Sequence, residues 1–166
     1  MKKMLVLYYS WSCGNTERIA RELADACGAD LERIETKKAY PDDYDETVEI
    51  GKREVDQGMT RKIRDLAHDI SDYDVVAIGT PTWWYTMAPA VLELFCTIDF
   101  SGKLLIPFAT NGGWPGSALD DMQAAAPEAT IIEPYAVRFD SQGGSHMVSK
   151  QADVKSWVTR VARLMQ

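Results

Sequence analysis

The sequence predicts a doubly wound α/β fold, in which helices cover both faces of a mainly parallel β-sheet. Short apolar runs recur along the chain, and most of them are continuous, as is typical of strands covered on both faces. Amphipathic helical patterns alternate with these runs, which favours right-handed β-α-β crossovers. The length of 166 residues and the hydrophobic fraction of 46% fit one globular domain spanning residues 1–166.

The strands are predicted first, because their pattern is the strongest. Apolar runs place four of them at residues 4–9, 74–79, 103–110 and 130–137. Polar and apolar side chains alternate over residues 31–35, so we expect a further strand there, nearer an edge of the sheet.

Helices are predicted between the strands, at residues 16–27, 89–98, 117–126 and 149–165. The first helix places Ile19, Leu23 and Ala26 on one face and ends before Gly28, a residue favoured just after a helix. The last helix is amphipathic, and its inward face is expected to carry Val154, Trp157, Val158, Val161 and Leu164.

Residues 36–72 form the irregular part of the chain and are rich in charge. Helical patterns predict a surface helix at residues 45–57 and a second helix at residues 60–70. Because runs of charged residues are usually solvated faces, we interpret this segment as an exposed crossover. A lid over a binding site, or a surface for a partner, is the alternative.

The charge of the chain argues against polyanionic partners. Eighteen Lys and Arg residues against 25 Asp and Glu residues give a net charge of −7, which repels nucleic acid and anionic membranes. No apolar stretch is long enough to span a membrane, and the first residues do not fit a signal peptide. The three cysteines and two histidines lack metal-binding spacing, so we expect no metal site and a cytoplasmic location.

The loop after the first strand has the composition of an anion-binding loop. Residues 10–16 have the sequence Ser-Trp-Ser-Cys-Gly-Asn-Thr, and a helix begins at their end. In doubly wound folds, ligands bind beyond the carboxyl ends of the strands. Backbone N–H groups and the helix N-terminus can hold an anion there, with further hydrogen bonds from Ser10, Ser12, Asn15 and Thr16. Capping of the helix by Asn15 or Thr16 is the alternative.

Two further loops are expected at the same edge of the sheet. Three consecutive aromatic residues at 83–85 follow the second core strand and suit stacking on a flat ring, although a packed corner is the alternative. Residues 111–114, Asn-Gly-Gly-Trp, follow the next strand, and their glycines allow close backbone approach to a ligand. The chain lacks both GxxxxGK[ST] and GxGxxG. A ligand with a terminal phosphate and a large planar ring, such as flavin mononucleotide (FMN), suits all three loops.

These motifs resemble those of the flavodoxin family. Ser10-x-Ser12-x-Gly14-Asn15-Thr16 is similar to the flavodoxin phosphate loop. Residues 80–84 (Thr-Pro-Thr-Trp-Trp) and 99–103 (Asp-Phe-Ser-Gly-Lys) look like flavodoxin-like proteins of bacteria, and the resemblance covers nearly the whole chain. It implies a flavodoxin-like, five-stranded parallel sheet of order 2-1-3-4-5 with helices on both faces, noncovalently bound FMN, and transfer of one or two electrons.

The resemblance also implies which residues bind FMN. The first loop would hold the phosphate, the second would contact the ribityl chain and the ring, and the third would line the other side of the ring. The candidate cofactor-binding residues are Ser10, Trp11, Ser12, Cys13, Gly14, Asn15, Thr16, Pro81, Thr82, Trp83, Trp84, Tyr85, Asn111, Gly112, Gly113 and Trp114.

The expected function is that of an electron carrier, with the redox chemistry supplied by the cofactor and no catalytic residue in the chain. Its redox partners would be a reductase and an acceptor, with basic docking faces that complement the acidic chain. Two alternatives remain open. One is an FMN-dependent NAD(P)H:quinone or nitro-compound oxidoreductase, and the other is a scaffold of this fold without a cofactor.

Overall fold

The computed structural model describes residues 1–166 and shows a seven-stranded sheet. The strands are β1 (Met4–Tyr8), β2 (Asp30–Arg33), β3 (Val75–Trp83), β4 (Thr86–Met87), β5 (Leu104–Asn111), β6 (Thr130–Ile131) and β7 (Tyr135–Arg138). Their order is β2-β1-β3-β5-β6, with every pair parallel, while β7 also pairs with β5 and β4 forms an antiparallel hairpin with β3. The predicted fold class is confirmed. The sheet has seven strands rather than the predicted five, and the order 2-1-3-4-5 holds for the parallel strands when β6 and β7 are counted together at the fifth position.

Helices cover both faces of the sheet, as predicted. They are α1 (Asn15–Cys27), α2 (Tyr44–Asp56), α3 (Pro89–Thr97), α4 (Ala118–Ala125) and α5 (Gln151–Leu164). The core beneath α1 and α5 contains Leu23 and Trp157, and the core beneath α3 and α4 contains Leu94 and Met122, all fully buried. No helix is both long enough and apolar enough to span a membrane.

The interior strands contribute to both cores, which explains their continuous apolar runs. In β1, Leu5 and Leu7 belong to the core beneath α3 and α4, whereas Val6 and Tyr8 belong to the core beneath α1 and α5. Because successive side chains of a strand point to opposite faces, a strand covered on both faces needs apolar residues at every position. The carboxyl ends of β1, β3, β5 and β7 meet at one edge, where the cleft described below opens.

The prediction of one continuous strand at residues 130–137 is wrong, because the strand is interrupted between β6 and β7. Glu133 has a φ of 47°, in the left-handed region, and Pro134 has no N–H to give to the sheet. The Glu133 carbonyl instead accepts a hydrogen bond of 2.8 Å from Trp157 Nε1. The interruption therefore fastens α5 to the edge of the sheet.

The predicted helix at residues 60–70 is also wrong. Residues 62–64 instead pair antiparallel with residues 35–37, which follow β2, and the segment ends in a single 3₁₀ turn at Ile70–Asp72. Lys37 N donates to Lys62 O at 2.9 Å and Arg64 N donates to Glu35 O at 2.8 Å. Pairing of the backbone groups of residues 35–37 determines the conformation of this segment more strongly than its helical pattern does.

Two side chains predicted to face the core are exposed. On α1, Ala26 is exposed and Ala20 and Ala24 are buried beside Ile19, since the buried face follows the i, i+4 spacing. On α5, Leu164 is exposed and Met165 is buried in its place.

Candidate cofactor-binding site

A cleft of about 320 Å³ opens at the carboxyl edge of the sheet. Its walls come from the loops after β1, β3, β5 and β7 and from one side of α2. The volume is at the lower end of the range of small-molecule sites, which is about 300–1,000 Å³. The position is the one at which doubly wound folds bind their ligands.

The structure brings nearly all of the predicted site residues to this cleft. Gly113 and Tyr85 are the exceptions, because Gly113 faces the Arg138 guanidinium and Tyr85 lies on the outer side of the β3–β4 turn. The role of the lining residues in binding a cofactor stays a prediction. Those that line the cleft are Ser10, Trp11, Ser12, Cys13, Gly14, Asn15, Thr16, Pro81, Thr82, Trp83, Trp84, Asn111, Gly112 and Trp114.

The loop between β1 and α1 presents a series of free donors. The backbone N–H groups from Ser10 to Glu17 make no hydrogen bond within the protein. Gly14, with a φ of 77°, turns the chain into α1 through the left-handed region. The loop therefore combines free N–H groups with the positive end of a helix, the combination that binds phosphate groups in proteins.

The polar side chains of this loop divide into two groups. The Asn15 amide donates to Gly144 O at 3.1 Å, and the Thr16 hydroxyl lies 2.8 Å from that of Thr110. These contacts fix the loop, whereas the hydroxyls of Ser10 and Ser12 make no hydrogen bond within the protein. The role of all four side chains in binding a ligand stays a prediction. Helix capping does not explain the motif, because the N-cap is Gly14 and no side chain caps the helix.

Trp83 lines the cleft and is held in a fixed orientation by neighbouring aromatic rings. Tyr9, Tyr40 and Trp11 meet its ring edge to face, at centroid distances of 5.8, 5.1 and 6.5 Å. Such arrangements are favourable for aromatic rings. Trp83 therefore packs partly against the core, and the alternative of a packed corner holds for one of its faces.

Trp84 and Tyr85 form the tight turn between β3 and β4. Their φ angles are 49° and 70°, a conformation that costs a residue other than glycine about 1–3 kcal/mol. Trp84 lines the cleft and donates from Nε1 to Val48 O at 3.1 Å, whereas Tyr85 is 57% exposed. The Tyr85 carbonyl accepts a hydrogen bond of 2.8 Å from Ser117 N, which fastens the turn to the start of α4.

Thr82 provides an unpartnered polar atom within the cleft. Its Oγ1 is buried and makes no hydrogen bond in the protein. A buried hydroxyl without a partner is unfavourable, by about 1–3 kcal/mol. A ligand rich in hydroxyl groups, such as a sugar alcohol chain, would satisfy it.

The third predicted loop forms the side of the cleft next to β7. Asn111 Oδ1 accepts a hydrogen bond of 2.8 Å from Gly113 N, which closes the loop on itself. Gly112 lies against the Asp140 backbone, where a Cβ would be 3.2 Å from the carbonyl oxygen. Trp114 is 59% exposed at the mouth.

Two groups of lining residues were missed from the sequence. Helix α2, interpreted as an exposed crossover, contributes Tyr44, Thr47, Val48 and Gly51, so that interpretation is wrong for its inner side. Gly51 was the available signal: glycine within a helix costs about 1 kcal/mol relative to alanine, and a Cβ at Gly51 would be only 3.2 Å from Trp83 Cε3. The loop after β7 contributes Phe139, Asp140, Ser141 and Gly143, and would have been found by extending the rule for strand ends to the last strand.

Charged residues are sparse in the lining of the cleft. Asp140 is the one charged residue that lines it, and neither Lys nor Arg does so. A phosphate group would therefore be held by neutral donors and by the helix terminus, which suits the free N–H groups described above.

Taken together, the fold and the cleft define a doubly wound α/β protein whose cleft is lined by a loop of free N–H groups and by aromatic side chains. The family model described as Flavodoxin matches residues 3–161, and the chain therefore belongs to the flavodoxin family. Among curated proteins, no sequence is similar enough to this chain to count as a match.

Solved structures share the fold over most of their length. A protein of Bacteroides eggerthii DSM 20697 is 26% identical, with a TM-score of 0.77, and the match covers 98% of this chain and 99% of that one. A flavoprotein of Lactobacillus acidophilus NCFM, in complex with FMN, is 22% identical with a TM-score of 0.72, covering 82% and 93%. Two-electron reduced Megasphaera elsdenii flavodoxin is 20% identical with a TM-score of 0.60, covering 96% and 99%.

Proposed function

We propose that this protein binds FMN in the cleft and carries one or two electrons between redox partner proteins. Membership of the flavodoxin family and the FMN complex of the Lactobacillus relative support FMN as the cofactor. The observation that carries the proposal is the run of unpartnered N–H groups from Ser10 to Glu17, opposite the indoles of Trp83 and Trp84.

The residues of the cleft fit the three parts of this cofactor. The N–H groups of residues 10–17, with the Ser10 and Ser12 hydroxyls, would hold the phosphate. The unpartnered Thr82 hydroxyl would accept a hydrogen bond from a hydroxyl of the ribityl chain or donate one to it. Trp84 on one side, and Asn111, Gly112 and Trp114 on the other, would flank the ring.

FMN, when bound, supplies the redox chemistry by taking up and releasing electrons. The residues that surround the ring would set the reduction potential of the flavin. Because Asp140 is the one charged residue lining the cleft, the site offers little stabilisation to the negative charge that reduction adds. We therefore expect a low reduction potential.

Acidic residues beside the cleft favour partners with basic docking faces. The start of α2, next to the lining residues Tyr44 and Thr47, carries a group of exposed carboxylates: Asp42, Asp43, Asp45, Glu46 and Glu49. Charge complementarity of this kind raises the rate of association more than the affinity. A cytoplasmic location and a single domain over residues 1–166 stay predictions from the sequence.

Titration of the apoprotein with FMN tests cofactor binding. The fluorescence of FMN should be quenched with one-to-one stoichiometry, since tryptophan rings line the cleft. Absence of saturable binding would support the alternative of a scaffold without a cofactor.

A kinetic experiment then separates a carrier from an enzyme. The holoprotein with NADPH and a quinone should turn over only when a separate flavoprotein reductase is added. Rapid NADPH oxidation by the holoprotein alone would instead favour the NAD(P)H:quinone oxidoreductase.

A further inference from the structure

A cation lies behind the anion-binding loop, outside the cleft. Arg33, the last residue of β2, donates from Nη2 to the carbonyl oxygen of Ser10 at 2.6 Å. It does not line the cleft. Ser10 itself is only 3% exposed and does line the cleft, so the guanidinium contacts the loop from its rear.

The same guanidinium is fixed by a second contact. Arg33 Nη1 donates to Glu17 Oε1 at 3.1 Å, and the Tyr8 hydroxyl donates to that oxygen at 2.9 Å. The hydrogen bond from Tyr8 is the largest cause of the lowered pKa of the Glu17 carboxyl; burial opposes it, and Arg21 and Arg33 each lower the pKa by a smaller amount. Glu17 is therefore ionised at neutral pH and holds Arg33 in place.

The peptide between Ser10 and Trp11 transmits this contact to the cleft. The chain contains no cis peptide bond, and in a trans peptide the C=O and N–H groups point in opposite directions. With the Ser10 carbonyl directed at Arg33, the Trp11 N–H is directed away from it, and this N–H has no partner in the protein. Hydrogen bonds in series polarise one another, so a charged donor on the carbonyl makes the N–H a stronger donor.

We propose that Arg33 is a positioning residue of the phosphate subsite, which orients and polarises the Ser10–Trp11 peptide toward a phosphate dianion. The inference rests on the proposed function of this loop. It explains how a cleft without a lining Lys or Arg binds a dianion: the cation acts through a peptide rather than by direct contact. Because Glu17 balances the charge of Arg33, the effect depends on the contact with Ser10 more than on net charge.

Comparison of two flavins isolates this effect. FMN and riboflavin differ only by the phosphate, so the ratio of their dissociation constants reports on the phosphate subsite alone. In Arg33→Gln, we expect FMN binding to weaken about tenfold, equivalent to about 1.4 kcal/mol, while riboflavin binding changes less than about twofold by the same scale. Arg33→Lys keeps a charged donor and should recover part of the loss.

Arg21 offers a matched control. It pairs with the same Glu17 at 3.6 Å but is 60% exposed and does not contact Ser10. Arg21→Gln removes the same unit charge and should leave both dissociation constants unchanged. An equal loss for Arg21→Gln would overturn the proposal in favour of a simple charge effect.

Other outcomes also decide the matter. If Arg33→Gln weakens the binding of FMN and of riboflavin equally, Arg33 only supports the fold. If the variant weakens the binding of neither flavin, the contact with Ser10 has no role. Either result overturns the proposal. If the wild-type protein binds neither flavin, the proposed function fails independently. Inorganic phosphate then provides the readout: it should raise the melting temperature of wild-type and Arg21→Gln apoprotein more than that of Arg33→Gln, and equal shifts for all three would overturn the role of Arg33.

Discussion

The two ends of the cleft are built in different ways. The proposed phosphate end consists of residues 10–16, one contiguous segment that presents backbone N–H groups. The aromatic end consists of Trp83 and Trp84, whose positions depend on distant parts of the chain. Trp84 donates to Val48 O of α2, and the ring of Trp83 meets that of Tyr40.

This difference determines how each end responds to substitution. A loop that binds through its main chain tolerates changes of side chain but is sensitive to added charge, because its donors and the helix terminus attract anions only. A wall of packed aromatic rings is sensitive to shape and area instead. FMN and riboflavin distinguish the two ends experimentally, since riboflavin lacks the phosphate.

The largest effect should follow from a negative charge at the phosphate end. Ser12→Asp places a carboxylate among the free N–H groups, at an exposed position where the fold tolerates it. At a separation of about 5 Å and an effective dielectric constant of about 20, two unit charges repel by about 3 kcal/mol. The dissociation constant for FMN should therefore rise about 100-fold, and that for riboflavin should stay nearly constant.

Fluorescence titration with both flavins measures these constants, and Ser12→Asn is the neutral control of similar size. A comparable loss of riboflavin binding in Ser12→Asp would mean that the phosphate end and the aromatic end are not separable.

A smaller effect, shared by both flavins, should follow from removing an indole at the aromatic end. Trp84→Leu removes a ring that lines the cleft and a hydrogen bond to Val48. Aromatic pairing contributes about 0.5–1.5 kcal/mol beyond buried area, so FMN and riboflavin should both bind about tenfold more weakly. Tyr85→Leu, at the neighbouring position outside the cleft, is the control and should change neither constant.

A selective loss of FMN in Trp84→Leu would place this indole near the phosphate rather than the ring. The same titrations would show it, because the ratio of the two constants would then change.

The same contrast explains what sequence reasoning could find. The position of residues 10–16 in the cleft was predicted residue by residue, because they form one segment at a known place in the fold. Their role in binding phosphate stays a prediction. The uses of Asn15 and Thr16 were not predictable, since they depend on Gly144 and Thr110, each more than 90 residues away. Long-range contacts of this kind are not encoded in local pattern.

The aromatic end shows the same limit to what a local sequence pattern can predict. The indoles were predicted from three consecutive aromatic residues, but the side of α2 that packs against them was not. Gly51 is a signal that this side of α2 packs closely, but the sequence does not show that Trp83 is the residue that packs there. Likewise, residues 60–70 have a helical pattern, and only the pairing of residues 62–64 with residues 35–37 shows why no helix forms.

Stability should also separate Tyr85 from its neighbours at the aromatic end. Because Tyr85 has a φ of 70° and is largely exposed, Tyr85→Gly relieves backbone strain and loses few contacts. After the entropy that glycine adds to the unfolded chain, we expect a gain of about 1 kcal/mol in the free energy of unfolding. Urea denaturation should show a higher midpoint at unchanged slope.

Trp114 is a suitable reference for this prediction, since it is similarly exposed but does not have a positive φ. Trp114→Gly should give no gain, and a loss of equal size in both variants would refute strain at Tyr85. Binding of both flavins to Tyr85→Gly should remain within about twofold of wild type, as expected for a residue outside the cleft.

The smallest expected effect is on the pH dependence of stability. The phosphate end should lose stability at low pH, and the aromatic end should lose stability at high pH. At the phosphate end, the hydrogen bond from Tyr8 and the nearby arginines hold the pKa of Glu17 below its ordinary value of 4.5. A lowered folded-state pKa contributes stability above pH 4.5, and this stability is lost as the pH falls through the folded-state value. At the aromatic end, burial raises the pKa values of Tyr9 and Tyr40 above 10. Their contribution is therefore complete below pH 10 and is lost as the pH rises through the folded-state values.

Melting temperatures of wild-type and Glu17→Gln protein between pH 3 and pH 7 measure the acid limb. We expect a difference of less than about 1 kcal/mol at pH 7, since the ion pairs of Glu17 are partly exposed, and the difference should vanish toward pH 3. Tyr9→Phe should leave this acid limb unchanged and reduce the loss of stability above pH 10. If Glu17→Gln instead altered the alkaline limb, the electrostatics of the two ends would be coupled, and the separation between a charged support behind the phosphate end and a packed aromatic end would fail.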